Sequence, residues 1–114
     1  MHTLITEEQR ARMVANGERS SGDETHDPVP VVKLFVEGRA MWLLSEIDPE
    51  EPDVAFGLCD LGVGYPELGT VRLSAIAGLN GQEGMIVERD DNFAPVQTLS
   101  DYARDAYARG AIRA

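Results

Sequence analysis

The sequence predicts an α+β fold, a mainly antiparallel sheet of four to five strands flanked by an N-terminal and a C-terminal helix. Three observations predict it. Capped segments with helical apolar spacing stand at the two ends of the chain, "TEEQRARMVANG" and "TLSDYARDAYARG". Between them the apolar residues alternate with period two. The connections between those alternating runs are short, whereas a parallel crossover needs a dozen or more residues, so consecutive strands pair antiparallel.

The first helix has both ends marked. Thr6 and Gln9 form a capping box, with Glu7 and Glu8 in the first turn where the positive helix end favours acids. Gly17 is placed to be the left-handed stop. The apolar stripe of Ala11, Met13 and Val14 is thin, which predicts a helix lying on the surface. The polar segment 18–30 carries two prolines and no period, and it predicts a mobile loop.

A hairpin follows. Val32, Leu34 and Val36 point one way and Val31, Lys33 and Phe35 the other. Glu37 to Ala40 form the turn, with Gly38 supplying any positive φ. In the return strand Met41, Leu43, Ser45 and Ile47 share one face, and Trp42, Leu44 and Glu46 the other. "DPEEPD", Asp48 to Asp53, is an acidic, proline-broken connection. The next strand, Val54 to Leu61, is apolar on both faces, which argues for a central strand covered on both sides. Its phase puts Val54, Phe56, Leu58 and Asp60 together. Gly62 to Pro66 turns the chain into the strand "LGTVRLS". One helical turn after Ser74, a loop, the short strand "MIVERD" and a second loop lead to the last helix. There Thr98 and Asp101 make a capping-box pattern, and Leu99, Tyr102, Ala103, Ala106 and Tyr107 recur at helical spacing. Gly110 ends it.

The whole, residues 1–114, is one domain's worth of chain. Twenty acids against ten bases give a net charge of −10. That opposes direct binding to nucleic acid or to an anionic membrane, because each phosphate contact needs a cation. It suits a protein partner of basic character. The single cysteine excludes an intramolecular disulfide and any multi-cysteine zinc site. The N-terminus lacks an apolar run of signal-peptide length, and no window has the apolar length of a membrane span. A cytoplasmic location is the expectation.

Candidate chemistry concentrates in one stretch. Between Arg39 and Arg72 there is no lysine or arginine, yet there are seven acids: Glu46, Asp48, Glu50, Glu51, Asp53, Asp60 and Glu67. They form either a negative surface for a cation or a basic partner, or a solvated edge and loop. "DPEEPD" lacks the spacing and the glycine of a calcium loop. Asp60 is the sharpest candidate, since strand phase aims it at an apolar face and a carboxylate there needs a partner. It either accepts backbone amides of the glycine turn or pairs with Glu67 as an acid/base or cation site, with Arg72 or Thr70 across the strand pair. Cys59 lacks a base, since His2 and His26 lie in the terminus and the predicted loop, so it reads as a small buried hydrophobe. Trp42 is a binding aromatic or, as is commoner for a strand tryptophan, core. No phosphate loop or metal-ligand spacing appears, so no cofactor is expected. An exposed strand edge would allow a homo-oligomer.

The words "TEEQRARMVANG", "PVVKLF", "WLLSEIDPEEPDVAFGLCDLGVGYPELGTVRLS", "VERD" and "LSDYA" resemble an uncharacterised bacterial family, DUF2958, from about Leu4 to Tyr107. The segment "AIAGLNGQEGM" departs from the family pattern. The resemblance implies a small stand-alone protein carried on plasmids and other mobile elements, with no established activity. It draws emphasis to Glu46, Asp48, Phe56, Gly57, Asp60, Gly62, Pro66, Glu67 and Gly69, which fall in the family's most recognisable block. Three readings follow. One is a non-enzymatic accessory protein acting through its acidic surface, in its sharper form an inhibitor of a nucleic-acid-binding partner. The second is a small enzyme or divalent-cation binder using Asp60 and Glu67. The third is an oligomerisation module.

Overall fold

The computed structural model describes residues 4–114; His2 lies outside the described residues. The alternating segments become five strands, β1 (Val32–Val36), β2 (Ala40–Ile47), β3 (Val54–Asp60), β4 (Glu67–Arg72) and β5 (Glu88–Arg89). They lie in the order β4-β3-β2-β1-β5, and each neighbouring pair is antiparallel. Helix α1 (Glu7–Gly22) precedes the sheet, α2 (Leu73–Ala77) follows β4, a 3-10 turn covers Gln82–Gly84, and α3 (Leu99–Arg109) closes the chain. The architecture is α+β, as the periodicities require.

Each face of the sheet carries its own core. On one side Leu4, Ile5 and Met13 meet Leu34, Val36, Trp42, Leu44, Ile47 and Ala55, with Leu73 and Ile76 of α2 and Val87 completing the cluster. On the other, α3 brings Leu99, Tyr102, Ala103 and Ala106 onto Leu43 and Leu58, and Ile112 follows from the C-terminal tail. β3 serves both layers, with Ala55 buried to one and Leu58 to the other. The stripe of α1 is thin, yet Met13 is completely buried, Val14 half-buried and Ala11 exposed.

Both predicted helix starts are present. Thr6 N–H donates to Gln9 Oε1 at 2.9 Å and Gln9 N–H to Thr6 Oγ1 at 3.0 Å. Thr98 Oγ1 accepts from Asp101 N–H at 3.3 Å, but the Asp101 carboxylate turns to Arg104, so only half of that box forms. Gly38, in the hairpin turn, and Gly110, after α3, both have positive φ, +71° and +76°.

Four expectations are corrected. Helix α1 runs through Gly17 to Gly22, so the first five residues of the predicted 18–30 loop, Glu18–Gly22, are helical. Gly17 is there for proximity: a Cβ on it would stand 2.0 Å from the carbonyl oxygen of Ile47. The missing side chain lets the helix backbone rest on the end of β2. Second, strict alternation in β2 fails at Ser45, where the register with β3 shifts between Leu44 and Glu46. This bulge adds one residue and turns Ile47 to the side of Trp42 and Leu44, opposite Leu43. Third, α2 begins at Leu73, one residue before Ser74, and β4 ends at Arg72. Fourth, only Glu88 and Arg89 of "MIVERD" pair with β1, opposite Phe35 and Leu34.

Candidate functional site

The 48–53 connection is an ordered turn. Asp48 N–H donates to Val54 O at 2.9 Å, Glu51 N–H to Asp48 O at 3.2 Å, and Val54 N–H to Glu51 O at 2.8 Å. Asp48 Oδ1 accepts from Glu50 N–H at 2.9 Å, the local bond that makes aspartate a turn residue. Asp53 serves a second element. Its carbonyl accepts from Leu73 N–H at 2.8 Å, and its carboxylate accepts from Ser74 N–H at 2.9 Å and Ser74 Oγ–H at 2.6 Å. These bonds satisfy orphan amides at the start of α2, whose own N-cap, Arg72, supplies no side-chain acceptor. The Ser74 hydroxyl and amide, helped by the Arg72 and Arg10 charges, hold the Asp53 carboxyl below its usual range. Arg72 lies 3.7 Å from Glu51 and 3.8 Å from Asp53, all well exposed, a pairing that contributes little to stability.

Glu46 and Asp48 stand apart from that ion-pair network. Glu46 Oε1 accepts from Ser20 Oγ–H at 2.9 Å, which ties the end of β2 to α1. Among the described residues neither Glu46 nor Asp48 has an ion pair. Both line a cleft of about 360 Å³ with Ser20, Ser21, Pro49, Val54, Phe56 and Thr70.

Asp60 is buried at the end of β3 and has both oxygens engaged. Oδ1 accepts from Gly62 N–H at 2.8 Å and Oδ2 from Ile112 N–H at 3.0 Å. It fastens the glycine turn and the C-terminal tail to the sheet. The strand register separates it from its proposed partners. Glu67 pairs with Cys59, so it shares the Cys59 face and not the Asp60 face, and it is exposed. Arg72 pairs with Val54, six residues or about 20 Å from Asp60 along β3, and Thr70 pairs with Phe56. The structure thus does not assemble an Asp60–Glu67 centre, nor does Arg72 or Thr70 face Asp60. Among the described residues no group of three His, Cys, Asp or Glu side chains is placed to hold a metal.

Trp42 is 2% exposed and packs in the core, paired with Leu34 on one side and Cys59 on the other. Burial, then the Asp60 and Glu67 charges, push the Cys59 thiol up, against an opposing hydrogen bond from the Trp42 side chain. That is the behaviour of a packing residue. His26 is anchored, its Nε2 lying 3.4 Å from Asn16 Oδ1 on α1.

The loop 61–66 presents Leu61, Val63 and Tyr65 to solvent, 58%, 67% and 78% exposed. Gly62 and Gly64 hold it in shape with φ of +78° and +88°. The spacing of apolar residues between glycines was the only available signal, and it does not distinguish a covered turn from an open one.

The molecule is thus an α+β domain with two cores, an ordered acidic turn and an open apolar loop. The chain belongs to the family described as "Protein of unknown function (DUF2958)", whose model matches residues 4–113. No curated protein and no solved structure matches it.

Proposed function

We propose that this chain is a non-enzymatic accessory protein of mobile genetic elements that acts by binding a basic protein partner through the surface of its 46–53 segment. In its sharper form it occupies a surface with which that partner binds nucleic acid. The observation that supports this reading is the arrangement of Glu46, Asp48, Glu50, Glu51 and Asp53. The ordered 48–53 turn holds four of these carboxylates and the end of β2 the fifth, and among the described residues Arg72 is the only base that ion-pairs with any of them. Preorganised charge of one sign steers a partner of the opposite sign and sets specificity more than raw affinity. The test is affinity capture from the host with wild type and with a Glu50→Lys, Glu51→Lys variant, in the presence and absence of DNA. The reading expects a basic protein that wild type retains, the variant loses and DNA displaces. Equal retention by the variant overturns it.

The open loop supports a second reading, an oligomerisation module. Leu61, Val63 and Tyr65 stand next to β4, an edge strand with one unpaired side, and such edges pair readily with another copy. Sedimentation at increasing concentration tests it: self-association that Tyr65→Ser weakens supports this reading, and a monomer throughout removes it.

A further inference from the structure

We infer that the cleft between α1 and the corner of β2 and β3 seats a basic side chain of the partner, arginine by preference; this rests on the binding function just proposed. The chemistry of the lining selects the occupant. Glu46 and Asp48 contribute carboxylates, and Ser20, Ser21 and Thr70 hydroxyls, while no lysine or arginine lines the cleft. An anionic ligand finds no counter-charge there. Each carboxylate is braced through one oxygen, Glu46 by Ser20 and Asp48 by the Glu50 amide, and keeps its second oxygen free of any hydrogen bond among the described residues.

Glu46 is half-buried and neither it nor Asp48 has an ion pair among the described residues, so a partner's cation in the cleft meets charges of opposite sign that no base of this chain already pairs. The remaining walls, Pro49, Val54 and Phe56, are apolar. A hydrated divalent ion gains nothing from them, whereas an arginine or lysine lays its methylene stem along such a surface and leaves its head at the carboxylates. Two carboxylates and neighbouring hydroxyls present several acceptors and few donors. The guanidinium fork, with five N–H donors and no acceptor, matches that set better than an ammonium. At about 360 Å³ the cleft is at the small end of ligand pockets, room for one long side chain.

The test is an amide-resolved NMR titration of the full chain with N-acetyl-arginine methylamide, with the lysine and citrulline analogues alongside. Saturable shifts are expected at Ser20, Ser21, Glu46, Asp48, Phe56 and Thr70, with a Kd on the order of 1 mM. The lysine analogue should bind more weakly and the uncharged citrulline analogue not at all. Glu46→Gln preserves the acceptor for Ser20, so the fold is kept, and with Asp48→Asn it should weaken arginine binding at least tenfold. The same double variant should weaken capture of the partner by a similar factor. Shifts spread over the other exposed acids, shifts indifferent to the double variant, or capture unchanged by it would each overturn the inference. Glu50 and Glu51 lie outside the cleft lining, which keeps the two readings separable. If capture depends on Glu50 and Glu51 but the titration fails, only the arginine seat falls. If the titration succeeds and capture ignores Glu50 and Glu51, the acidic-surface reading falls.

Discussion

Removing the Asp60 carboxylate should destabilise the fold without touching the acidic turn. In Asp60→Ala, Gly62 N–H and Ile112 N–H lose their acceptors, which lie at 2.8 and 3.0 Å in the wild type. Hydrogen bonds to a charged group contribute about 1.5–3 kcal/mol each, and a buried amide left unpaired adds to the loss. The expected cost is about 3–5 kcal/mol, a large part of a domain's total stability. For 114 residues the unfolding entropy is roughly 0.24 kcal/mol per kelvin, so the melting temperature should fall by about 12–20 °C. Asp60→Asn keeps one acceptor oxygen but turns an NH2 group toward the other amide, and about 2–3 kcal/mol is expected. Urea unfolding followed by Trp42 fluorescence measures both, with Glu67→Gln as an exposed reference expected within about 0.5 kcal/mol of wild type. Hydrogen exchange adds a local readout: the Ile112 amide should be protected in wild type and exchange freely in Asp60→Ala. If Asp60→Ala unfolds within about 0.5 kcal/mol of wild type and Ile112 stays protected, the fastening role assigned to Asp60 is refuted.

Gly17→Ala tests by its sign whether the close approach of α1 to β2 outweighs helix propensity. Helix propensity alone favours alanine by about 1 kcal/mol, but a Cβ 2.0 Å from Ile47 O must push the helix off β2, so a net loss of about 1–3 kcal/mol is expected in the same urea assay. The depressed Asp53 carboxyl makes a pH prediction. A folded-state pKa below the unfolded one stabilises above the unfolded value, 3.8, and that contribution is lost as pH falls through the folded value. The stability difference between wild type and Asp53→Asn, measured by unfolding from pH 7 to 2, should be present at neutral pH and shrink below pH 4; a difference that grows on acidification contradicts the capping role. Cys59, with its thiol pushed up by burial, should react with a thiol reagent at pH 7 at least about tenfold more slowly than free cysteine, and a burst of reaction in folded protein would contradict its packing role.

The fold class, both helix starts, the hairpin with its Gly38 turn and the phase of β3 were legible in the sequence. They depend on interactions between residues a few positions apart: a hydroxyl and an amide three residues on, side chains alternating along an extended backbone, a glycine that tolerates positive φ. Asp60 was legible as a residue in need of partners, and one of its two, Gly62, is a near neighbour. The other, Ile112, is 52 residues away, and nothing local announces it. The same distance rule explains the misses. Gly17 looks like any helix-ending glycine until Ile47 is placed beneath it. Ile47 keeps its apparent face until pairing with β3 forces the bulge at Ser45. Asp53 reads as part of a charge run until Ser74 arrives at its carboxylate. Glu46 and Asp48 separate from the other acids only when Ser20 of α1 and Phe56 of β3 come to line a cleft with them. Local chemistry determined the elements of this protein; which carboxylates brace the fold and which face an open cleft was decided by packing, because that choice depends on which distant backbone amides and hydroxyls come within reach.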